Sequence, residues 1–139
     1  MRLAINEAMK ADVALTHPNP RVGAVIVENG EVVASGYHIK NGEPHAERNA
    51  LMALGRQPIH GASMYVTLEP CSTRGRTGAC TDAIIEAGIE SVIIGTLDPT
   101  PAHRGNAVAV LEGAGISVVT EVLPEECEAV NPNFGGHET

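Results

Sequence analysis

His45, Cys71 and Cys80 bring one imidazole and two thiols to this chain, and Glu47 follows the histidine by two residues. Zinc favours four-coordinate sites of nitrogen and sulfur, and a catalytic zinc keeps three protein ligands with the fourth position open. One His and two Cys make that set, so Zn2+ is the expected cofactor. Glu47 is then not a ligand. It belongs beside the open position, where a carboxylate carries protons. Zinc held this way lowers the pKa of water towards neutrality, so hydrolysis at pH 7 is the expected chemistry. Two blander readings compete. An isolated His at a helix start is ordinarily a polar surface or capping residue, and an isolated Cys is commonly a small core hydrophobe. A closed structural zinc site would show four ligands in tight pairs, and the chain has no C-x-x-C pair. His-Ala-Glu at a helix start together with Pro-Cys at a strand end is more specific than any one of these residues. Cys127, in an acidic stretch away from the motif, reads as packing.

The elements that must position these residues follow from periodicity and turn chemistry. Leu3, Ile5, Ala8, Met9 and Val13 fall at helical spacing and predict one N-terminal helix, stopped at His17-Pro18-Asn19-Pro20. Val22 to Val27 is an apolar strand. Asn29-Gly30 is a hairpin turn signal, and Glu31 to Tyr37 is the return strand. A helix over His45 to Leu54 is closed by Gly55. His45 and Glu47 do not share a face of that helix, but both reach a site over its N-terminus. Ser63 to Leu68 is a strand ending at Glu69-Pro70-Cys71, and Cys80 opens a helix to Ala87. Ser91 to Thr96 is a buried strand, Asn106 to Ala114 a helix, Gly115 to Val122 a last strand and Pro124 to Val130 a short helix. A hairpin followed by strand–helix alternation predicts an α/β fold. The expected arrangement is a three-layer α/β/α sandwich with a five-stranded mixed sheet. Both candidate metal segments fall at helix N-termini, where free N–H groups and the positive dipole end favour thiolate over thiol.

Length and composition fit one domain over residues 1–139. With two Tyr, one Phe and no Trp, the core must come from aliphatic side chains. The net charge of −8 removes any global basic footprint for nucleic acid, although Arg74, Arg76 and Arg104 could form a local basic patch. No basic extension or aromatic stripe suits RNA. The expected partner is a small molecule, with no nucleic acid and no membrane. Three cysteines, an odd number, with no visible secretory signal at the N-terminus favour a reducing compartment, so a cytoplasmic location is expected.

The zinc set with an adjacent proton carrier is suited to hydrolytic deamination of an amino-substituted heterocycle, with loss of ammonia. Eight residues separate Cys71 from Cys80, where that pattern ordinarily has two. The segments Pro18-Asn19-Pro20-Arg21-Val22-Gly23, His45-Ala46-Glu47, Thr67-Leu68-Glu69-Pro70-Cys71-Ser72, Gly75-Arg76-Thr77, Cys80 and Asp98-Pro99 carry a resemblance. Together they resemble the deaminase domain of the riboflavin-biosynthesis pyrimidine deaminase/reductase, here as a stand-alone unit. The resemblance covers about Met1 to Phe134, and the long cysteine spacing distinguishes that branch from cytidine, deoxycytidylate and tRNA-adenosine deaminases.

The resemblance implies a cytidine-deaminase-like fold, zinc on His45, Cys71 and Cys80, and Glu47 as catalytic proton shuttle. Its implied substrate is a diaminopyrimidinone ribosylamine phosphate. Asn19, Ala46, Arg76 and Asp98 match substrate-binding positions: Asn19 on the pyrimidine, Arg76 near the phosphate, Asp98 in the pocket loop. It also implies a homo-oligomer. The chain departs from the family at Thr73, where His is usual, at Gly78-Ala79, where two prolines are usual, and at Thr100, where Asn is usual. Two alternatives therefore stay open: the same chemistry on another ring (guanine, cytosine or a pterin-like compound), and a zinc-stabilised binding module without turnover.

Overall fold

The computed structural model describes residues 1–72 and 79–132. Helix α1 spans Arg2–Ala8 and α2 spans Val13–Thr16. The single N-terminal helix expected from periodicity is thus two. Asp12 stops it: its backbone is extended and its side chain caps α2 by accepting the Ala14 N–H at 2.9 Å. The other elements follow in the expected order. They are β1 (Gly23–Glu28), β2 (Glu31–Tyr37), α3 (Ala46–Leu54), β3 (Ser63–Leu68), α4 (Cys80–Ala87), β4 (Ser91–Thr96), α5 (Asn106–Gly113), β5 (Ser117–Val119) and α6 (Pro124–Ala129). The β1–β2 turn has positive φ at both central residues, 52° at Asn29 and 79° at Gly30, which is why Asn-Gly makes it. The last strand is much shorter than the apolar run from Gly115 to Val122 suggests. It is an edge strand that pairs only with β4, over three positions.

The five strands lie in the order β2-β1-β3-β4-β5. β1 runs antiparallel to β2 and β3, while β3, β4 and β5 are parallel, so the sheet is mixed as expected. Register decides the layers. Gly36 pairs with Ala24, Ala24 with Val66, and Val66 with Ile94, so these four share one face. That face packs against α3, α4 and α5 through Ala46, Ala50, Ile84 and Leu111, the aliphatic core of the molecule. The alternate residues face α1 and α6: a Cβ on Gly23 would strike the α1 backbone, and one on Gly95 would strike the Cys127 side chain. Cys127 is buried, as the packing role read from its sequence requires.

Gly36 sets the depth of α3. A Cβ there would lie 2.7 Å from Asn49 C and 2.9 Å from Ala46 O, and closer still to Ala50 N. The helix backbone therefore rests directly on β2. The first turn of α3, with His45 and Glu47, is held at a distance only glycine allows.

Candidate metal centre

Three chain segments converge beyond the C-terminal ends of β3 and β4. His45 is the N-cap of α3, in extended conformation, with Glu47 in the first turn. Cys71 follows β3 by three residues. Cys80 is the first residue of α4, whose N-cap Ala79 has no side chain to satisfy the free N–H groups. Cys71 takes that place: its sulfur accepts the Cys80 N–H at 3.1 Å, and its carbonyl accepts the Thr81 N–H at 3.2 Å. Both candidate metal segments thus lie at helix N-termini, as the sequence suggests. Arg48 ties the two helix starts together by donating to Ala79 O at 3.1 Å.

The donor atoms fit a zinc ion. His45 Nδ1 lies 3.2 Å from Cys80 Sγ and 3.7 Å from Cys71 Sγ, and the three ligand atoms fall within 4.8 Å of one another. Zinc–sulfur bonds of about 2.3 Å and zinc–nitrogen bonds of about 2.05 Å at a tetrahedral angle put N and S about 3.6 Å apart. A soft N/S2 donor set is also the type zinc selects over hard cations. Among the described residues this is the one group of three or more His, Cys, Asp or Glu side chains so gathered.

Protonation follows from the same contacts. The hydrogen bond from Cys80, with help from His45 and the Cys80 N–H, pulls the Cys71 thiol down to about 4. The Cys71 thiolate and burial push the Cys80 thiol upwards. The hydrogen bond with Cys71 raises His45. Glu47 is almost wholly buried, and burial first, then the Cys71 charge, lifts its carboxyl to about 7. A divalent cation among these groups would stabilise both thiolates and lower Glu47 again.

A cavity of about 160 Å³ opens onto this centre, and Asn19, His38, His45, Glu47, Glu69, Cys71 and Asp98 line it. Asn19 Nδ2 donates to His38 Nε2 at 3.2 Å and to Asn41 Oδ1 at 3.0 Å. His38 Nε2 is then an acceptor, so its proton sits on Nδ1, which donates to Pro44 O at 3.1 Å. Burial lowers His38, keeping it neutral in agreement with that tautomer. Its ring stands edge-on to His45 at 5.0 Å. With both amide hydrogens engaged, Asn19 is left with its carbonyl oxygen as an acceptor. Asp98 accepts the Thr100 N–H at 2.8 Å through Oδ1.

The structure thus brings together His45, Glu47, Cys71, Cys80, Asn19 and Asp98. Ala46 is wholly buried and its methyl belongs to the core, not to the cavity wall. Arg76, like Arg74, Thr73 and Gly78, lies outside the described residues. Arg104 is described, and its guanidinium stands 3.5 Å from both Glu121 Oε1 and Asp98 O. Sequence reasoning missed His38, Glu69 and Arg48. His38 follows a hairpin strand with no motif of its own; its 2 % exposure is the signal, and only the fold reveals it.

Residues 1–96 match the cytidine and deoxycytidylate deaminase zinc-binding region. The chain belongs to this deaminase family. Within it, the chain is 52 % identical over 134 residues to the riboflavin biosynthesis protein RibD of Actinobacillus pleuropneumoniae, covering 96 % of this chain and 35 % of that protein. It is 47 % identical over 119 residues to the diaminohydroxyphosphoribosylamino-pyrimidine deaminase of Buchnera aphidicola, covering 86 % of this chain and 80 % of that one. The Thermotoga maritima deaminase/reductase structure superposes with a TM-score of 0.88 at 44 % identity, over 96 % of this chain and 38 % of that chain. The chain thus spans about a third of the length of the RibD proteins it matches. Among the described residues, no helix of this chain is long and apolar enough to cross a membrane.

Proposed function

We propose that this chain catalyses the hydrolytic deamination of diaminohydroxyphosphoribosylaminopyrimidine, an aminopyrimidine nucleotide of riboflavin biosynthesis. One observation carries the reading: a His/Cys/Cys donor set within 4.8 Å, with a buried carboxylate two residues after the histidine and a cavity opening onto both. The similarity to a deaminase named for this substrate, over most of its length, supports the choice of ring.

His45, Cys71 and Cys80 would hold zinc. Bound there, zinc would supply Lewis-acid activation of water at neutral pH. Glu47 would take a proton from the attacking water on a carboxylate oxygen and pass it to the ring nitrogen beside the amino-bearing carbon. It would then deliver the second proton to the departing amine. A C–O bond forms, a C–N bond breaks, and ammonia leaves. Burial raises the Glu47 carboxyl and a bound cation would lower it, and these opposed effects suit a group that must both accept and donate a proton. Asn19 Oδ1 would accept from a ring N–H, the neutral His38 would close the wall beside it, Asp98 would line the pocket from its loop, and Arg76 would meet the phosphate. The enzyme would act as a homo-oligomer, which light scattering tests.

The test is ammonia release from zinc-loaded protein offered this nucleotide beside guanine, cytosine and their nucleosides. Turnover of the nucleotide is expected. Turnover of another ring alone would reassign the pocket, in keeping with Thr100 next to Asp98. Glu47→Gln should lower the rate by about 10²–10⁴-fold with zinc still bound. Full activity in that variant would refute the proton-carrier role. A wild-type protein that binds zinc and turns over nothing would favour the binding module.

A further inference from the structure

Glu69 is a buried carboxylate that the chemistry above does not use. It is 7 % exposed, stands two residues before Cys71 and lines the cavity beside the metal centre. Its partners are all backbone donors. Oε1 accepts the N–H of Asp98 and of Gly105, each at 3.0 Å, and Oε2 accepts that of Ala107 at 3.0 Å. Asp98 begins the loop after β4, Gly105 is the N-cap of α5, and Ala107 lies in its first turn. One carboxylate therefore grips the loop after β4 at both ends, at Asp98 and at Gly105 with the first turn of α5. Glycine at the N-cap offers no side chain to the first-turn N–H groups of α5, and Glu69, just beyond β3, accepts the one at Ala107. A second cavity, of about 180 Å³, shares Glu69, Cys71 and Asp98 with the first. Glu69 thus lines both cavities.

We propose that Glu69 is the positioning residue that fixes Asp98 and its loop against the metal pocket, and so sets substrate affinity. The covalent link Glu69-Pro70-Cys71 is short and holds a proline, so the Asp98 loop is registered directly to a metal-binding sulfur. The proposal rests on the deaminase reading, because it assigns Glu69 an effect on substrate through Asp98.

Glu69→Gln keeps the shape but replaces one acceptor oxygen with an NH2 group that must face a backbone N–H. The expected result is a rise in KM of about tenfold or more from the displaced loop, with kcat much less changed and zinc still one per chain. In an Asp98→Ala background the same substitution should change KM by less than about twofold, since its effect passes through Asp98. A KM effect of equal size in both backgrounds would overturn the proposal, as would an unchanged KM in the single variant. Amide hydrogen exchange in the unsubstituted protein supplies a second readout, valid even if the variant does not fold or no substrate turns over. The Asp98, Gly105 and Ala107 amides should exchange far more slowly than the Ala102 amide in the same loop. Equal rates would refute the anchoring, whereas slow exchange with no turnover of any ring would sink the deaminase reading alone.

Discussion

Gly36→Ala should disable the candidate metal centre without touching any group that lines it. The added methyl would lie 2.7 Å from Asn49 C and 2.9 Å from Ala46 O, against ordinary contact at 3.4 Å or more. The difference, 3.4 − 2.7, means that α3 must retreat from β2 by about 0.7 Å at least. The obstacles are backbone atoms on consecutive turns, so no side chain can rotate away. Overpacking of this kind costs about 1–3 kcal/mol. The same retreat carries His45 and Glu47, while Cys71 and Cys80 stay with β3 and α4. A misplacement approaching 1 Å at a reacting group is worth up to about 10²-fold in rate. Urea unfolding should therefore show a lower midpoint with an unchanged slope, and ammonia release should fall by more than the folded fraction explains. A variant with wild-type midpoint and wild-type kcat would refute the claim that glycine is needed for the depth of α3.

Three further expectations follow from particular groups. In metal-loaded protein, Glu47→Gln should retain zinc yet lose most ammonia release; loss of the metal together with activity would place Glu47 among the ligands. The Arg56 guanidinium, with the Ile59 N–H, holds the buried Glu28 carboxyl below its ordinary value of 4.5. A carboxyl depressed by folding stabilises the protein above its unfolded pKa, and that contribution is lost as pH falls through the folded value. Stability should thus decline below about pH 4.5, and Arg56→Ala should flatten that decline. An identical pH profile in the variant would remove this assignment. Burial pushes the Cys127 thiol up to about 11, and its sulfur packs on Gly95. An alkylating reagent at pH 7 should leave Cys127 unmodified in the folded chain and label it in urea; peptide mapping that finds fast labelling of the folded chain would contradict the packing.

The donor set, the carboxylate beside it and the layered α/β fold were legible in the sequence because each is written locally. Residue type determines what can bind zinc. The period of apolar residues separates helix from strand, and Asn29-Gly30 and Gly55 punctuate them. Where local signals were weak the reading slipped. Asp12 interrupts a helical pattern by offering its own cap, and the run after Gly115 is apolar enough for a long strand but finds one neighbour over only three positions. Other features depend on pairs far apart in the chain, which no local pattern encodes. His45 meets Cys80 across 35 residues. Glu69 meets Gly105 and Ala107 across 36 and 38. His38 reads as an ordinary loop histidine until the fold buries it between Asn19 and Pro44. The sequence alone determined which chemistry is available. Only the tertiary structure decided which backbone amides a buried carboxylate must satisfy, and which polar atoms are left free to meet a substrate. Those outcomes depend on desolvation and on the geometry of packed elements, and both exist only once the chain is folded.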